Sequence, residues 1–137
     1  MKHTGVKKTM AYRFFLFDTF VNWGLGSLFL FFYHPAEKLM SDGPLLPDFI
    51  WIIMGAAWLL FGIWQTYIVI ANRFSRTVRL FGCITAWGPF LALTYALIFM
   101  NFDLFMEARI IIWVGNLYMC LLGALYLKSY LEPAGTN

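Results

Sequence analysis

Four long runs of apolar residues, separated by short polar segments, dominate the pattern of the chain. They cover residues 11–33, 49–71, 80–100 and 108–127, and each has the roughly 20 residues that an α-helix needs to cross a bilayer. Apolar residues follow one another continuously in these runs, whereas the strands of a membrane β-barrel alternate apolar and polar residues. The pattern predicts an all-α, polytopic membrane protein, with residues 1–137 as one domain and four transmembrane helices in a bundle.

The composition is typical of a membrane protein. Hydrophobic residues make up 61% of the chain and charged residues 12%, about half the charged fraction of ordinary globular domains. A soluble chain of 137 residues could not bury so much apolar surface. The net charge of +3 comes from a few bases near the ends of the spans, so it does not indicate nucleic-acid binding.

Most of the bases lie on one side of the predicted bundle. They cluster before the first span and between the second and third: Lys2, Lys7, Lys8, Arg13, Arg73, Arg76 and Arg79. By the positive-inside rule, both termini then face the cytoplasm. The last three arginines could also bind anionic lipid headgroups or an acidic partner, although topology alone accounts for them. We expect an integral protein of a bacterial-type plasma membrane or of an internal membrane derived from one.

Several polar residues interrupt the apolar runs. Asp18 and Asn22 in the first span are four residues apart, so they share a helix face. A carboxyl at this depth costs about 2–3 kcal/mol on insertion scales and should face inward. We count depth inward from the cytoplasmic ends of the predicted spans, at about 1.5 Å per residue. Asp18, Gln65 and Thr85 then lie at one depth, and Asn22 and Asn116 lie near the midplane of the membrane. These five residues form a predicted intramembrane polar cluster, which is either a packing contact or a site for a proton or ligand.

Proline and glycine residues predict where the helices bend and where they approach each other. Pro89 lacks a backbone donor and frees the carbonyl four residues earlier, which predicts a helix kink at the depth of the polar cluster. Kinked helices line sites in some transporters and are also common as plain packing. Gly55 and Gly62 in the second span, and Gly115 and Gly123 in the fourth, predict close helix–helix faces.

The chain lacks a recognisable catalytic or cofactor-binding motif. His3 and His34 lie outside the spans, and there is no phosphate-binding glycine loop or haem-attachment motif. Cys83 and Cys120 lie inside apolar runs, as small packing residues do. We therefore expect no catalytic residue, no metal site and no cofactor held by a motif. Lipid, quinone or pigment could still bind at aromatic helix faces.

The first half of the chain resembles the DoxX-like family of small four-helix membrane proteins. The shared features are Arg13 ahead of the first span, the glycines of NWGLGSLFLFF, Pro35 after that span, and IIMGAAWLLFGIW with Gly55 and Gly62. The resemblance implies a four-helix membrane fold and an association with a redox or respiratory membrane complex. It carries over no active residue.

Three classes of function fit these features. The first is a non-catalytic accessory or scaffold subunit that packs against lipids and a larger energy-transducing or redox membrane complex. The aromatic content of 20% favours this class, because a four-helix core cannot bury so many rings. The second is a small proton-coupled transporter that uses Asp18. The third is a membrane enzyme acting on a lipid-like substrate, with Asp18 as the acid or base.

Overall fold

A computed structural model describes residues 10–100 and 102–132 of the chain. Within these residues the protein is helical without strands, and its helices are α1 Met10–Phe31, α2 Tyr33–Met40, α3 Asp48–Ile70, α4 Arg76–Phe99 and α5 Met106–Leu131. Helices α1, α3, α4 and α5 contain 22, 23, 24 and 26 residues and are long and apolar enough to cross a membrane. The predicted all-α chain with four such helices is confirmed to this extent.

Two of the long helices extend beyond their predicted limits. Helix α4 begins at Arg76 rather than at residue 80, because the side chain of Ser75 accepts a hydrogen bond from the Val78 N–H (3.3 Å) and caps the helix. Helix α5 continues to Leu131 rather than ending at residue 127, and it buries Ser129 in its last turn. Both differences occur at polar helix ends, which hydropathy does not locate.

The prolines of residues 34–48 predict a loop between the first two spans, but this segment contains a short helix, α2. Pro35 lies in the first turn of α2. Backbone N–H groups in a first turn have no acceptor within the helix, so the N–H that proline lacks is not needed there. In this helix a charged residue, Glu37, is buried and an apolar residue, Leu39, is exposed. The loop prediction was wrong for this stretch because prolines were taken as turn signals, whereas a proline in a first turn is compatible with a helix.

Helices α1 and α3 pack against each other in an antiparallel arrangement, here called the first pair. Glycine allows the two main chains to touch. A Cβ atom added to Gly26 would lie 2.7 Å from the backbone nitrogen of Leu59, and one added to Gly55 would lie 2.5 Å from that of Leu30. The packing face predicted from Gly55 therefore lies directly against the main chain of α1.

Helices α4 and α5 form a second antiparallel pair. In this pair the glycines face aromatic rings: Gly82 lies against the ring of Tyr126, and Gly123 lies against the ring of Trp87. Gly115, which the sequence also predicted to pack closely, has nothing within 4 Å of the position that a Cβ would take. It lies on an exposed part of α5.

The two pairs meet mainly near their ends. Where α1 begins and α5 ends, here called the terminal end, a hydrophobic core includes Phe15, Phe74 and Tyr126. At the opposite end, here called the α2 end, α2 contacts both α1 and α5. There the N–H of Phe105 donates to the carbonyl of Met40 at 2.8 Å.

Most of the basic residues that the structure describes lie at the terminal end, whereas Lys38 of α2 and Arg109 near the start of α5 lie at the α2 end. Arg13 is in the first turns of α1, and three more arginines follow the end of α3: Arg73, Arg76 and Arg79. Lys2, Lys7 and Lys8 lie outside the described residues.

Candidate functional site

A buried polar group connects α1, α3 and α5. Asp18 is 4% exposed, and its Oδ2 accepts hydrogen bonds from Asn22 Nδ2 (3.1 Å) and Gln65 Nε2 (2.8 Å). Asn22 Nδ2 also donates to Gln65 Oε1 at 2.6 Å. The hydroxyl of Tyr118 lies 3.5 Å from Asp18 Oδ1. These four residues are called the Asp18 group below.

The local sequence explains why these side chains meet. Asp18 and Asn22 share a face of α1 because they are four residues apart. Gly62 precedes Gln65 by almost one turn of α3, and a Cβ on Gly62 would meet Trp23 of α1 at 3.2 Å. The close approach of the two helices lets short aspartate and asparagine side chains reach Gln65. The prediction that Asp18 faces inward, with Gln65 as a partner, agrees with these contacts.

Two atoms beside the Asp18 group are buried without a hydrogen-bond partner. They are Oδ1 of Asn22, whose residue is fully buried, and the hydroxyl of Tyr126, whose residue is 1% exposed. The Tyr126 hydroxyl lies near enough to Asp18 and Tyr118 to interact with both electrostatically. Buried polar atoms are rarely left unpaired in folded proteins, and the described residues contain two more such atoms, Arg79 Nε and Asn116 Oδ1, away from this group.

The sequence analysis missed both tyrosines of α5. Tyr118, Leu122 and Tyr126 recur at four-residue intervals, which places them on one helix face. Leu122 and Tyr126 are both 1% exposed. This spacing was the available signal, and it was hidden because an aromatic residue in an apolar run is usually a packing residue.

Aromatic rings close the terminal end of the bundle over the Asp18 group. Phe15, one turn before Asp18, is fully buried, and its ring centroid lies 5.0 Å from that of Phe74 and 6.3 Å from that of Tyr126. Trp64 packs edge-on against Phe15 at 6.3 Å. These rings lie between Asp18 and the end of the bundle that carries the arginines.

Thr85 and Asn116 do not join the Asp18 group. The hydroxyl of Thr85 donates within its own helix, to the carbonyls of Phe81 (2.9 Å) and Gly82 (3.1 Å). Asn116 is 1% exposed and donates to Thr94 Oγ1 at 2.7 Å. The predicted five-residue cluster therefore divides into an α1–α3 group and a separate α4–α5 contact, since depth alone does not say which way a helix face points.

Helix α4 runs without interruption through Pro89, from Arg76 to Phe99. The sequence predicted that Pro89 would kink this helix at the depth of the polar cluster, and the kink itself stays a prediction. Pro89 and the neighbouring Gly88 are both exposed, and nothing lies within 4 Å of the position that a Cβ on Gly88 would take. This part of α4 thus lies on the outer surface of the bundle, away from the Asp18 group.

Two of the three arginines that follow α3, both in the first turn of α4, bind the end of α5. Arg79 Nη1 donates to the carbonyl of Ser129 (2.8 Å) and to its hydroxyl (3.2 Å). Arg76 Nε donates to the carbonyl of Tyr130 at 3.2 Å, and its guanidinium lies 4.4 Å from the ring centroid. Cations at a helix C-terminus satisfy free carbonyls and stabilise the helix dipole. Binding of lipid or a partner by Arg73, Arg76 and Arg79 stays a prediction.

Glu37 forms a second buried polar site, at the α2 end. Its Oε1 accepts hydrogen bonds from the N–H groups of Leu45 (2.6 Å) and Leu46 (3.3 Å) and from the indole of Trp51 (3.2 Å). Burial alone would raise the pKa of Glu37, but these donors and the charge of His34 outweigh it and lower the pKa below its ordinary value. Glu37 thereby fastens the α2–α3 connection to α3.

The described residues contain no group of three or more histidine, cysteine or acidic side chains placed to hold a metal ion. A surface groove of about 560 Å³ lies on the second pair and is lined by Trp87, Ala124, Leu127, Lys128, Leu131 and Glu132. Asp18 is not among its lining residues. The most distinctive chemistry of the described chain is therefore the Asp18 group.

Comparisons of the chain with models of known protein families, with curated proteins and with solved structures found no match. The DoxX-like resemblance stays a prediction on the residues given above.

Proposed function

We propose that this protein is a non-catalytic subunit of a larger membrane complex, with both termini in the cytoplasm. The partner is of the energy-transducing or redox kind that the DoxX-like resemblance implies. In this role the four helices serve as a scaffold, and their outer faces contact transmembrane helices of the partner as well as lipids or hydrophobic cofactors.

One observation carries the proposal: three glycines within spanning helices pack against nothing in the described chain. Gly24 of α1, Gly88 of α4 and Gly115 of α5 are exposed, and nothing lies within 4 Å of the position of an added Cβ. A glycine inside a helix is about 1 kcal/mol less favourable than alanine unless it allows a close contact. In membranes, small residues mark the faces where helices approach.

Large apolar side chains surround these glycines. On α1, Phe20 (76% exposed) and Leu28 (39%) flank Gly24 along one face. On α4, Ile84 (60%) and Leu91 (64%) flank Gly88 in the same way. Gly24 and Gly88 are thus notches between projecting side chains, a shape that accepts a residue of a neighbouring helix.

The orientation rests on charge. Arg13 and Arg73 lie at the terminal end, whereas Asp42 and Asp103 lie in connections near the α2 end and Asp48 begins α3 there. The positive-inside rule then assigns the terminal end to the cytoplasm. A cysteine placed at each end in turn and labelled with a membrane-impermeant thiol reagent in intact cells tests this orientation.

Extraction of the native membrane with a mild detergent, followed by mass spectrometry of the proteins that co-migrate with this chain, tests the subunit role. We expect a larger membrane protein in fixed stoichiometry. Replacing Gly24, Gly88 or Gly115 by leucine should lower the complexed fraction about tenfold, the effect of losing about 1.4 kcal/mol of binding free energy.

The matched control is Ala57→Leu, which enlarges an exposed small residue on α3. It should leave the complex intact if the glycine notches are the contact sites. A chain that migrates alone, or only with copies of itself, would refute the subunit role.

A further inference from the structure

Asp18 presents its two carboxyl oxygens to different helix pairs. Oδ2 accepts the hydrogen bonds from Asn22 and Gln65, both in the first pair. Oδ1 faces the hydroxyl of Tyr118, which belongs to α5 in the second pair. The carboxyl group therefore lies at the boundary between the pairs, with Oδ2 held by two amide groups and Oδ1 in a single, longer contact.

The contact between Oδ1 and Tyr118 is longer than a hydrogen bond to an ionised carboxylate. Hydroxyl groups that donate to carboxylates usually lie about 2.5–2.7 Å away, whereas this contact measures 3.5 Å. The ring of Tyr118 packs edge-on against Phe17 of α1, at 6.0 Å between centroids. Its hydroxyl can donate or accept, so this contact can run in either direction.

The groups that face Asp18 bring no positive charge. Helix α1 contributes the amide of Asn22, and helix α3 contributes the amide of Gln65. The titratable groups are the phenols of Tyr118 and Tyr126 on α5, and Cys83 of α4 lies in the same core as Tyr126. All of these are neutral in their ordinary forms near pH 7. A carboxylate without a counter-charge is unfavourable in such a place.

Of the unpaired atoms described above, one belongs to Asn22, which contacts Asp18, and the other belongs to Tyr126, which interacts with Asp18 electrostatically. The Tyr126 hydroxyl is buried without a partner, and so is Asn22 Oδ1. The hydroxyl can donate a hydrogen bond and both atoms can accept one. Hydrogen-bonding capacity is therefore in excess around Asp18, and an additional proton can be accommodated.

We propose that Asp18 Oδ1 and the Tyr118 hydroxyl form a proton-binding position between the two helix pairs. In the acid form, Oδ1 carries the proton and donates it to the Tyr118 oxygen. In the carboxylate form, the proton has passed to water and Tyr118 donates to Oδ1. Oδ2 keeps its bonds to Asn22 and Gln65 in both forms, so the change is confined to the contact between the pairs. The proposal does not rest on the subunit role.

Infrared spectroscopy of the full chain in lipid bilayers, recorded during a pH titration, tests this proposal, because a carboxylic acid has a C=O stretch distinct from the carboxylate bands. The seven acidic side chains lose their acid bands as the pH rises, and we expect one of these steps to belong to Asp18. Asp18→Asn, which is nearly isosteric, should abolish this step. Asp48→Asn, which alters an exposed carboxyl, should leave it in place.

Tyr118→Phe is the second variant, and it keeps the ring while removing the hydroxyl. It should displace the midpoint of the step by roughly one pH unit, the equivalent of one hydrogen bond to a charged group. Identical titrations of the wild type and Asp18→Asn would overturn the proposal. A step that occurs only when sodium ions are added would assign the position to a cation and would also overturn it.

Discussion

The two helix pairs achieve close packing in different ways. In the first pair, Gly55 faces the main chain of Leu30, and backbone touches backbone. In the second pair, Gly82 faces the ring of Tyr126, so a side chain fills the space that glycine leaves. Main-chain atoms of a helix cannot move without breaking its hydrogen bonds, whereas a ring can tilt. The first pair should therefore tolerate added volume less well than the second.

The hydrogen bonds between buried side chains also differ between the two helix pairs. The first pair holds three mutually bonded residues, Asp18, Asn22 and Gln65. The second pair holds separate side-chain contacts, from Asn116 to Thr94 and, at the terminal end, from Arg79 to Ser129. A network loses several bonds when one member is removed, while an isolated contact loses one. The first pair is thus the more specific of the two, and the following experiments test that difference.

The largest effect is expected for Gly55→Ala. The added methyl group would lie 2.5 Å from the Leu30 nitrogen, so the two helices must separate. We expect a loss of about 3 kcal/mol in the free energy of unfolding, at the upper end of overpacking effects. Unfolding with a denaturing detergent in mixed micelles, followed by tryptophan fluorescence, measures it.

Gly24→Ala is the matched control, since nothing lies within 4 Å of its added methyl group. We expect it to change stability by no more than about 1 kcal/mol, in the stabilising direction, through helix propensity. Equal losses for Gly24→Ala and Gly55→Ala would contradict the backbone contact in the first pair.

The next effect is expected for Gln65→Met, which keeps the length of the side chain but removes its polar atoms. Asp18 loses one donor and Asn22 loses one acceptor. We expect a loss of about 2 kcal/mol, because the remaining groups stay buried. The same unfolding assay measures it.

Thr94→Val provides the corresponding change in the second pair, where it removes the acceptor of Asn116. We expect the free energy of unfolding to fall by about 0.6 kcal/mol, the average contribution of a hydrogen bond between membrane helices. A loss for Thr94→Val that matches or exceeds the loss for Gln65→Met would reverse the ranking of the two pairs.

The sequence was sufficient to predict the elements but not all of their contacts. Run length and hydropathy located the four long helices, and the spacing of Asp18 and Asn22 predicted an inward polar face on α1. Gly55 was placed correctly in a contact because small residues on a membrane helix have few other uses. These features depend on one helix at a time, and local patterns describe them well.

Features that depend on how helices are rotated against each other could not be predicted. Thr85 and Asn116 have the depth expected of the polar cluster, but their side chains point elsewhere. Tyr118 and Tyr126 are indistinguishable in sequence from the other aromatic residues of the spans. The short helix α2 was also missed, since Pro35 is compatible with both a turn and a first helical turn.

For Gly123→Ala in the second pair, we expect a smaller loss of stability than for Gln65→Met. Its methyl group would meet the ring of Trp87, which is half-buried and packs toward a surface groove. The ring can tilt outward, so we expect a loss of about 1 kcal/mol, the lower end of overpacking effects. The mixed-micelle assay measures it, and a loss equal to that of Gly55→Ala would show that both pairs are equally rigid.

The smallest effect on the stability of the bundle is expected at the α2–α3 connection, where Glu37 accepts hydrogen bonds from the Leu45 and Leu46 N–H groups. Because the pKa of Glu37 is lowered from its ordinary value of 4.5, its contribution is complete above that pH and is lost as the pH falls through the lower, folded-state pKa. Hydrogen exchange should therefore show that the protection factors of these two amides fall in acid, while amides in the middle of α3 remain protected.

Glu37→Gln keeps an acceptor oxygen but removes the charge, so protection of both amides should be lower than in the wild type at neutral pH and should no longer depend on acid pH. Asp42→Asn, at an exposed carboxyl in the same connection, is the control and should behave as the wild type does. If the Glu37→Gln amides retain the acid-dependent loss, another group fastens this connection. If amides in the middle of α3 lose protection together with those of Leu45 and Leu46, the hydrogen bonds of Glu37 stabilise the whole first pair. The stability of that pair would then not come from its glycine contacts and the Asp18 group alone.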